Sequence, residues 1–149
     1  VQLRSAIPNP AGTGALTSVV TTSGDAKTKG LELELTAAPV DQLVLNLGVS
    51  YVSAKFSRGC DADQFILNSG GLRPNFDTRN PTAAALPLCD ISGNRLPLGS
   101  PWIINGGFSY EDESGIEGAR AFFNSNFAYE ASKYVQVHNL AETGSTFLL

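Results

Sequence analysis

The chain has 149 residues, enough for one domain with a core, yet its charged residues make up only 16% against roughly 25% in ordinary soluble domains. A net charge of −4, with no basic patch interleaved with aromatics, excludes nucleic acid as a partner. No run of about 18 apolar residues is present, which excludes a transmembrane helix and leaves strands as the one way to cross a membrane.

The chain lacks methionine, starts on Val1 and stops on Leu149 within strand-like stretches, so it is expected to be a segment of a longer protein. Val1 to Ala6 alternates, with Val1 and Leu3 on one side and Gln2 and Arg4 on the other. The cluster Pro8-Asn9-Pro10-Ala11-Gly12-Thr13-Gly14 is turn chemistry. Leu16 to Thr22, rich in Thr and Val, predicts a strand that runs on to Ala37 with a bend near Gly24. Within it Gly30-Leu31-Glu32-Leu33-Glu34-Leu35-Thr36 alternates strictly. A short turn at Pro39-Val40-Asp41-Gln42 leads to a return strand, Leu43 to Phe56. Leu43, Leu45, Leu47, Val49 and Tyr51 share one face of that strand, and Val44, Asn46, Gly48 and Ser50 share the other.

Alternation disappears from Ser57 to Pro97, where Gly, Pro and Asn recur, which predicts a long loop. It resumes at Trp102, with Trp102, Ile104, Gly106, Phe108 and Tyr110 on one face. An acidic turn, Glu111 to Gly115, precedes a strand from Ala119 to Glu130 that turns Ala121, Phe123, Phe127 and Tyr129 outward. Lys133 to Ser145 is a polar connection, and a further strand starts at Thr146. Short turns thus alternate with long connections, and Tyr51, Trp102, Tyr110 and Tyr129 stand near the ends of apolar runs. Both are features of an outer-membrane barrel, in which periplasmic turns are short, surface loops are long and aromatic girdles mark the interfaces. The same rings would serve as core packing in a soluble β-sandwich.

Candidate chemistry is sparse. Glu32 and Glu34 share a strand face, and paired carboxylates can work as acid and base in glycoside hydrolysis, but they are read as lumen-facing charge, paired across neighbouring strands or solvated in the barrel interior. Asp61, Asp63, Asp77 and Asp90 fall in the long loop and offer oxygen to a hard cation, without EF-hand spacing. His138 is the sole histidine, so a nitrogen-rich metal site is not expected. No catalytic residue, cofactor or metal is expected, and the chain is read as a non-enzyme. Arg58, Arg73, Arg79 and Arg95 lie in the loop, where guanidinium groups suit carboxylate or phosphate ligands, or else neutralise the loop's own aspartates or bridge lipid phosphates. Cys60 and Cys89, in the same loop, are expected to form a disulfide in an oxidising compartment, the alternative being two free thiols.

Ser23-Gly24-Asp25-Ala26-Lys27-Thr28-Lys29-Gly30-Leu31-Glu32-Leu33-Glu34-Leu35, then Ala38-Pro39, then a strand ending Tyr51-Val52-Ser53-Ala54-Lys55-Phe56, resembles the barrel of TonB-dependent outer-membrane receptors. Asn94-Arg95-Leu96-Pro97 and Pro101-Trp102, leading into a strand to Tyr110, is similar to a descending strand after a long surface loop of that family, some members of which staple that loop with a cysteine pair. The resemblance runs from about Ser23 to Tyr110 and more weakly to the end; the plug, the TonB box and a C-terminal strand ending in an aromatic are missing. It implies an all-β fold, an antiparallel up-and-down transmembrane β-barrel segment of about six strands out of about 22. It further implies the outer membrane of a Gram-negative bacterium and uptake of a scarce ligand of the iron–siderophore, vitamin or oligosaccharide class with TonB-supplied energy. The implied partners are the TonB complex, through an N-terminal region absent from this sequence, outer-membrane lipid and a small extracellular ligand. A passive porin, an adhesin-like barrel and a soluble β-sandwich binding module are the alternatives.

Overall fold

The computed structural model describes residues 2–8, 16–22, 24–113, 115 and 118–149, with side chains from residue 24 onward. The turn cluster expected around residues 8–14 falls largely outside them. The chain forms two compact units, one of residues 1–27 and 55–96, the other of residues 28–54 and 97–149. The fold is mostly antiparallel sheet with few helices, as an all-β reading requires.

Strands β1 (Gln2–Pro8) and β2 (Leu16–Thr22) pair antiparallel, Gln2 opposite Thr22 and Pro8 opposite Leu16, in a two-stranded sheet of their own. The strand expected from Leu16 to Ala37 contributes to two sheets, and Ser23 at the junction lies outside the described residues. Strand β3 (Gly24–Val40) begins at Gly24, near the expected bend, with a φ of 145° that suits only glycine. A Cβ at Gly24 would also run into the Arg58 carbonyl oxygen, so the residue serves a close backbone approach as well as a change of direction.

The larger sheet has five strands in the order β3, β4 (Leu43–Gly59), β5 (Trp102–Glu113), β6 (Arg120–Glu130) and β7 (Thr146–Leu148). Sequential strands are spatial neighbours, so the sheet is a meander, with a two-residue turn at Asp41 and Gln42 between β3 and β4. Leu43 lies opposite Tyr110 and Tyr51 opposite Trp102; Ile103 lies opposite Glu130 and Glu113 opposite Arg120. The acidic stretch expected as a turn from Glu111 continues β5 instead, because Glu111 and Glu113 keep partners on β6 and the Arg120 guanidinium reaches the Glu111 carboxylate at 2.7 Å. The sheet is open, with β3 and β7 at its edges.

The stretch expected as a structureless loop has local order. Helix α1 (Ala62–Asn68) is capped by Asp61, whose Oδ1 accepts from the backbone N–H of Asp63 and of Gln64, each at 3.0 Å. Its far end closes when the Ser69 and Gly71 N–H groups return to the Phe65 and Ile66 carbonyls. A short helix, α2 (Leu86–Cys89), follows Thr82, whose carbonyl and hydroxyl both accept from the Ala85 N–H. Beyond it the chain runs back along β4: Cys60 bridges to Asp90 and Lys55 to Arg95, and the Phe56 N–H donates to the Asn94 carbonyl.

Among the described residues, the buried apolar side chains of the first unit are Phe56, Cys60, Phe65, Ala85, Cys89 and Ile91, whereas the second unit has Val137 alone. The small disulfide-linked unit thus has a core of its own, and the large sheet has none.

Candidate functional site

The register sorts the large sheet into two faces. On one lie Leu43, Leu45, Leu47, Val49 and Tyr51 of β4, which face Tyr110, Phe108, Gly106, Ile104 and Trp102 of β5. Phe123, Phe127 and Tyr129 of β6 and Phe147 of β7 continue that face. Its rings touch across strands: Tyr51 and Trp102 have centroids 4.6 Å apart, Phe108 and Phe123 5.5 Å, and Phe127 and Phe147 6.2 Å. Leu31, Leu33 and Leu35 of β3 are 71%, 56% and 54% exposed. No second layer covers this face among the described residues, so its apolar groups meet solvent.

The opposite face carries Asn46, Gly48 and Ser50, then Asn105, Gly107 and Ser109, then Asn124 and Asn126. A shallow groove of about 380 Å³ runs over it, lined among others by Glu32, Glu34, Asn46, Ser50 and Asn105. Val44, Ile103, Phe122 and Leu148 also lie on this side, so it is polar in the main rather than throughout. The nine residues from Leu43 to Tyr51 stay paired with β5, a length of roughly 30 Å at about 3.4 Å per residue. Tyr51, Trp102 and Tyr129 lie toward one end of the sheet and Tyr110 toward the other. No helix among the described residues is long and apolar enough to cross a membrane, which says nothing of strands.

The second feature belongs to the small unit. Cys60 and Cys89 are joined in a disulfide, with Cα atoms 4.7 Å apart and a sequence separation of 29. Cys60 packs with Phe65, Ala85 and Cys89, while Phe76 sets its ring edge-on to Phe65 at 5.0 Å. Beside this core lies a cleft of about 470 Å³, lined by residues that include Asp25, Arg58, Cys60, Arg79, Leu86 and Asp90.

Of the four loop arginines, the structure brings Arg58 and Arg79 to the cleft and leaves Arg73 and Arg95 off it. The two that arrive hold carboxylates already. Arg58 meets Asp25 at 2.7 Å. Arg79 grips Asp77 through Nε and a terminal nitrogen, the shorter contact being 2.7 Å. That hydrogen bond holds the Asp77 carboxyl below its ordinary range and raises the Arg79 guanidinium further above neutrality.

Three of the aspartates weighed as cation ligands have structural work. Asp61 caps α1, Asp77 pairs with Arg79, and Asp90 Oδ1 accepts from the Ser92 N–H at 2.8 Å and from the Ser92 hydroxyl. The cleft residues Asp25, Thr78 and Ser92 escaped notice as candidates because nothing in linear sequence sets them beside Arg58. The helix was findable: Asp61-Ala62-Asp63-Gln64 ahead of Phe65, Ile66 and Leu67 is an acidic N-cap with Gln three residues on, a capping-box signal. Comparison with known proteins returns no matching family model, no matching curated sequence and no matching solved structure.

Proposed function

We propose that the large sheet is a stretch of transmembrane wall in an outer-membrane β-barrel, and that the barrel belongs to a TonB-dependent receptor importing a scarce small ligand. One observation carries the membrane part: an apolar face over β4 to β7, partly to fully exposed except at Gly106, with Leu45, Trp102, Phe108, Phe123 and Phe147 among its exposed groups, backs a mainly polar one. In water such a face would need a second layer; in a bilayer, lipid is that layer. Strands joined in sequence order, with short turns at one end and residues 60–101 and 131–145 as connections at the other, agree with up-and-down topology. The TonB part rests on the resemblance of residues 23–56 and 94–110 to that family. In this reading the apolar face contacts outer-membrane lipid of a Gram-negative bacterium, the polar face lines the lumen, and further strands pair with the edges β3 and β7. The unit around the disulfide is the ligand-facing loop, and TonB engages a region of the protein beyond these residues.

The test compares two adjacent side chains on β4. Leu47→Arg puts a charge midway along the apolar face and should cost roughly 2–4 kcal/mol of unfolding free energy in liposomes. Asn46→Arg, one residue away on the polar face, should cost far less. Equal costs in urea unfolding of the liposome-inserted protein would end the membrane assignment.

A further inference from the structure

We infer that the cleft of the disulfide-linked unit receives a neutral, polyhydroxylated ligand, a short saccharide, and not an anion. The inference rests on the reading of the protein as an uptake receptor and names the class of its ligand.

Charge balance is the first ground. The cleft lining holds two guanidinium groups, Arg58 and Arg79, and two carboxylates, Asp25 and Asp90. Arg58 is already bound to Asp25 at 2.7 Å, and Arg79 to Asp77 at the same distance. An anionic ligand would find both guanidinium charges already balanced by carboxylates, and it would meet Asp90 as well. A lining without net positive charge offers an anion little net attraction.

Remaining hydrogen-bond capacity is the second ground. Arg58 gives one terminal N–H to Asp25 out of the five a guanidinium carries. Asp25 accepts through Oδ2, which leaves Oδ1 for a donor, and Thr78 adds a hydroxyl to the lining. A vicinal diol uses such a set without breaking any of it, because one hydroxyl donates to the carboxylate while its neighbour accepts from the guanidinium. Pro81 and Leu86 supply an apolar patch suited to the C–H face of a sugar ring. The volume, about 470 Å³, falls in the range of small-molecule sites. The Cys60–Cys89 bond and the Asp90–Ser92 contact fix two parts of the lining before a ligand arrives.

The test uses the full-length protein in detergent, with maltose, cellobiose and lactose as neutral probes and citrate as the anionic one. Binding is read by saturation-transfer NMR and calorimetry. At least one disaccharide should bind, and its affinity should change by less than about twofold between about 50 and about 500 mM salt, since no net charge is neutralised. Asp25→Ala should weaken it roughly tenfold or more, because a hydrogen bond to a charged group is lost. Leu86→Trp, which fills the cleft and leaves every ion pair in place, should weaken it too. Leu67→Ala, on α1 away from the lining, should leave it unchanged, and retention of the disulfide on non-reducing gels checks that each variant has folded. Failure of all three disaccharides, binding of citrate alone with steep salt dependence, or binding indifferent to both cleft substitutions would overturn the inference. The Leu47 and Asn46 comparison is run on the same protein, so loss of the saccharide result with facing intact rejects this inference and spares the membrane reading.

Discussion

Asp77 and Arg79 show how much a single pair decides at the residue scale. Two residues apart, they fold the chain into a turn in which the Asp77 side chain accepts from the Arg79 backbone N–H at 2.9 Å and from its guanidinium at 2.7 Å. The side-chain hydrogen bond and then the backbone one lower the Asp77 pKa from its ordinary 3.8. A carboxyl depressed in the folded state stabilises the fold above its unfolded pKa and loses that contribution as pH falls through the folded value. The turn should therefore hold at neutral pH and loosen only under acid stronger than pH 3.8. An NMR titration of the Asp77 carboxyl should give a midpoint below 3.8, and Arg79→Ala should raise it toward that value while the backbone N–H of residue 79 still holds it below. An unchanged midpoint in the variant would show that the guanidinium contact is absent in solution. Gly106 makes the complementary point on the sheet. The Phe127 ring occupies the place where a Gly106 side chain would go, with atoms 2.9 Å from a Cβ built there. An aromatic laid over a cross-strand glycine repairs the gap that glycine leaves in an apolar face.

Elements differ in how far linear order disclosed them. Period-two alternation located β4, β5 and β6 because each has one greasy face; the register that sets Leu45 opposite Phe108 comes from the fold alone. The bend expected near Gly24 coincides with a backbone at φ 145°, and β2 and β3 on either side of it belong to separate sheets. Alternation failed past Ser57, because a short helix held by an Asp61 cap and two aromatic rings has too few turns to show a helical period. The disulfide lay within reach of composition and context, whereas the cleft did not. Asp25 and Arg58 stand 33 positions apart in sequence and meet only because β3 and β4 are neighbours. The four arginines invited an anion site as a group; the fold separates them and neutralises the two it gathers. At this scale the disulfide is the decisive device. A link across 29 positions removes loop entropy worth roughly 3–4 kcal/mol from the unfolded unit, more than a core of so few side chains can readily replace. Reduction should therefore release the first unit while the large sheet persists. Hydrogen exchange should show protection lost over residues 60–91 and kept at Asn46 to Val49. Protection of α1 surviving full reduction would show that Phe65, Phe76 and their neighbours suffice without the bond.

For the whole molecule, the question is what stands where a second layer would stand. Five strands present Leu31, Leu33, Leu35, Leu45, Trp102, Phe123 and Phe147 to solvent, and β3 and β7 leave backbone donors and acceptors along two edges. Water solvates the edges well and the face badly; hydrocarbon does the reverse. Neither solvent alone suits the sheet as an open structure, and closure by additional strands with lipid around the outside satisfies both demands at once. The 149-residue chain by itself should accordingly behave as an incomplete wall. In detergent-free buffer it should associate through its apolar face and edges, giving broad, concentration-dependent species in light scattering coupled to gel filtration. Addition of detergent above its critical micelle concentration should narrow that distribution and raise exchange protection along β4 and β5, which have neighbours on both sides and stay paired with each other over nine residues. The full-length protein should need detergent or lipid throughout. Were the full-length protein monodisperse without either, the apolar face would have to be covered by protein, and the sheet would be one half of a soluble sandwich rather than a membrane wall.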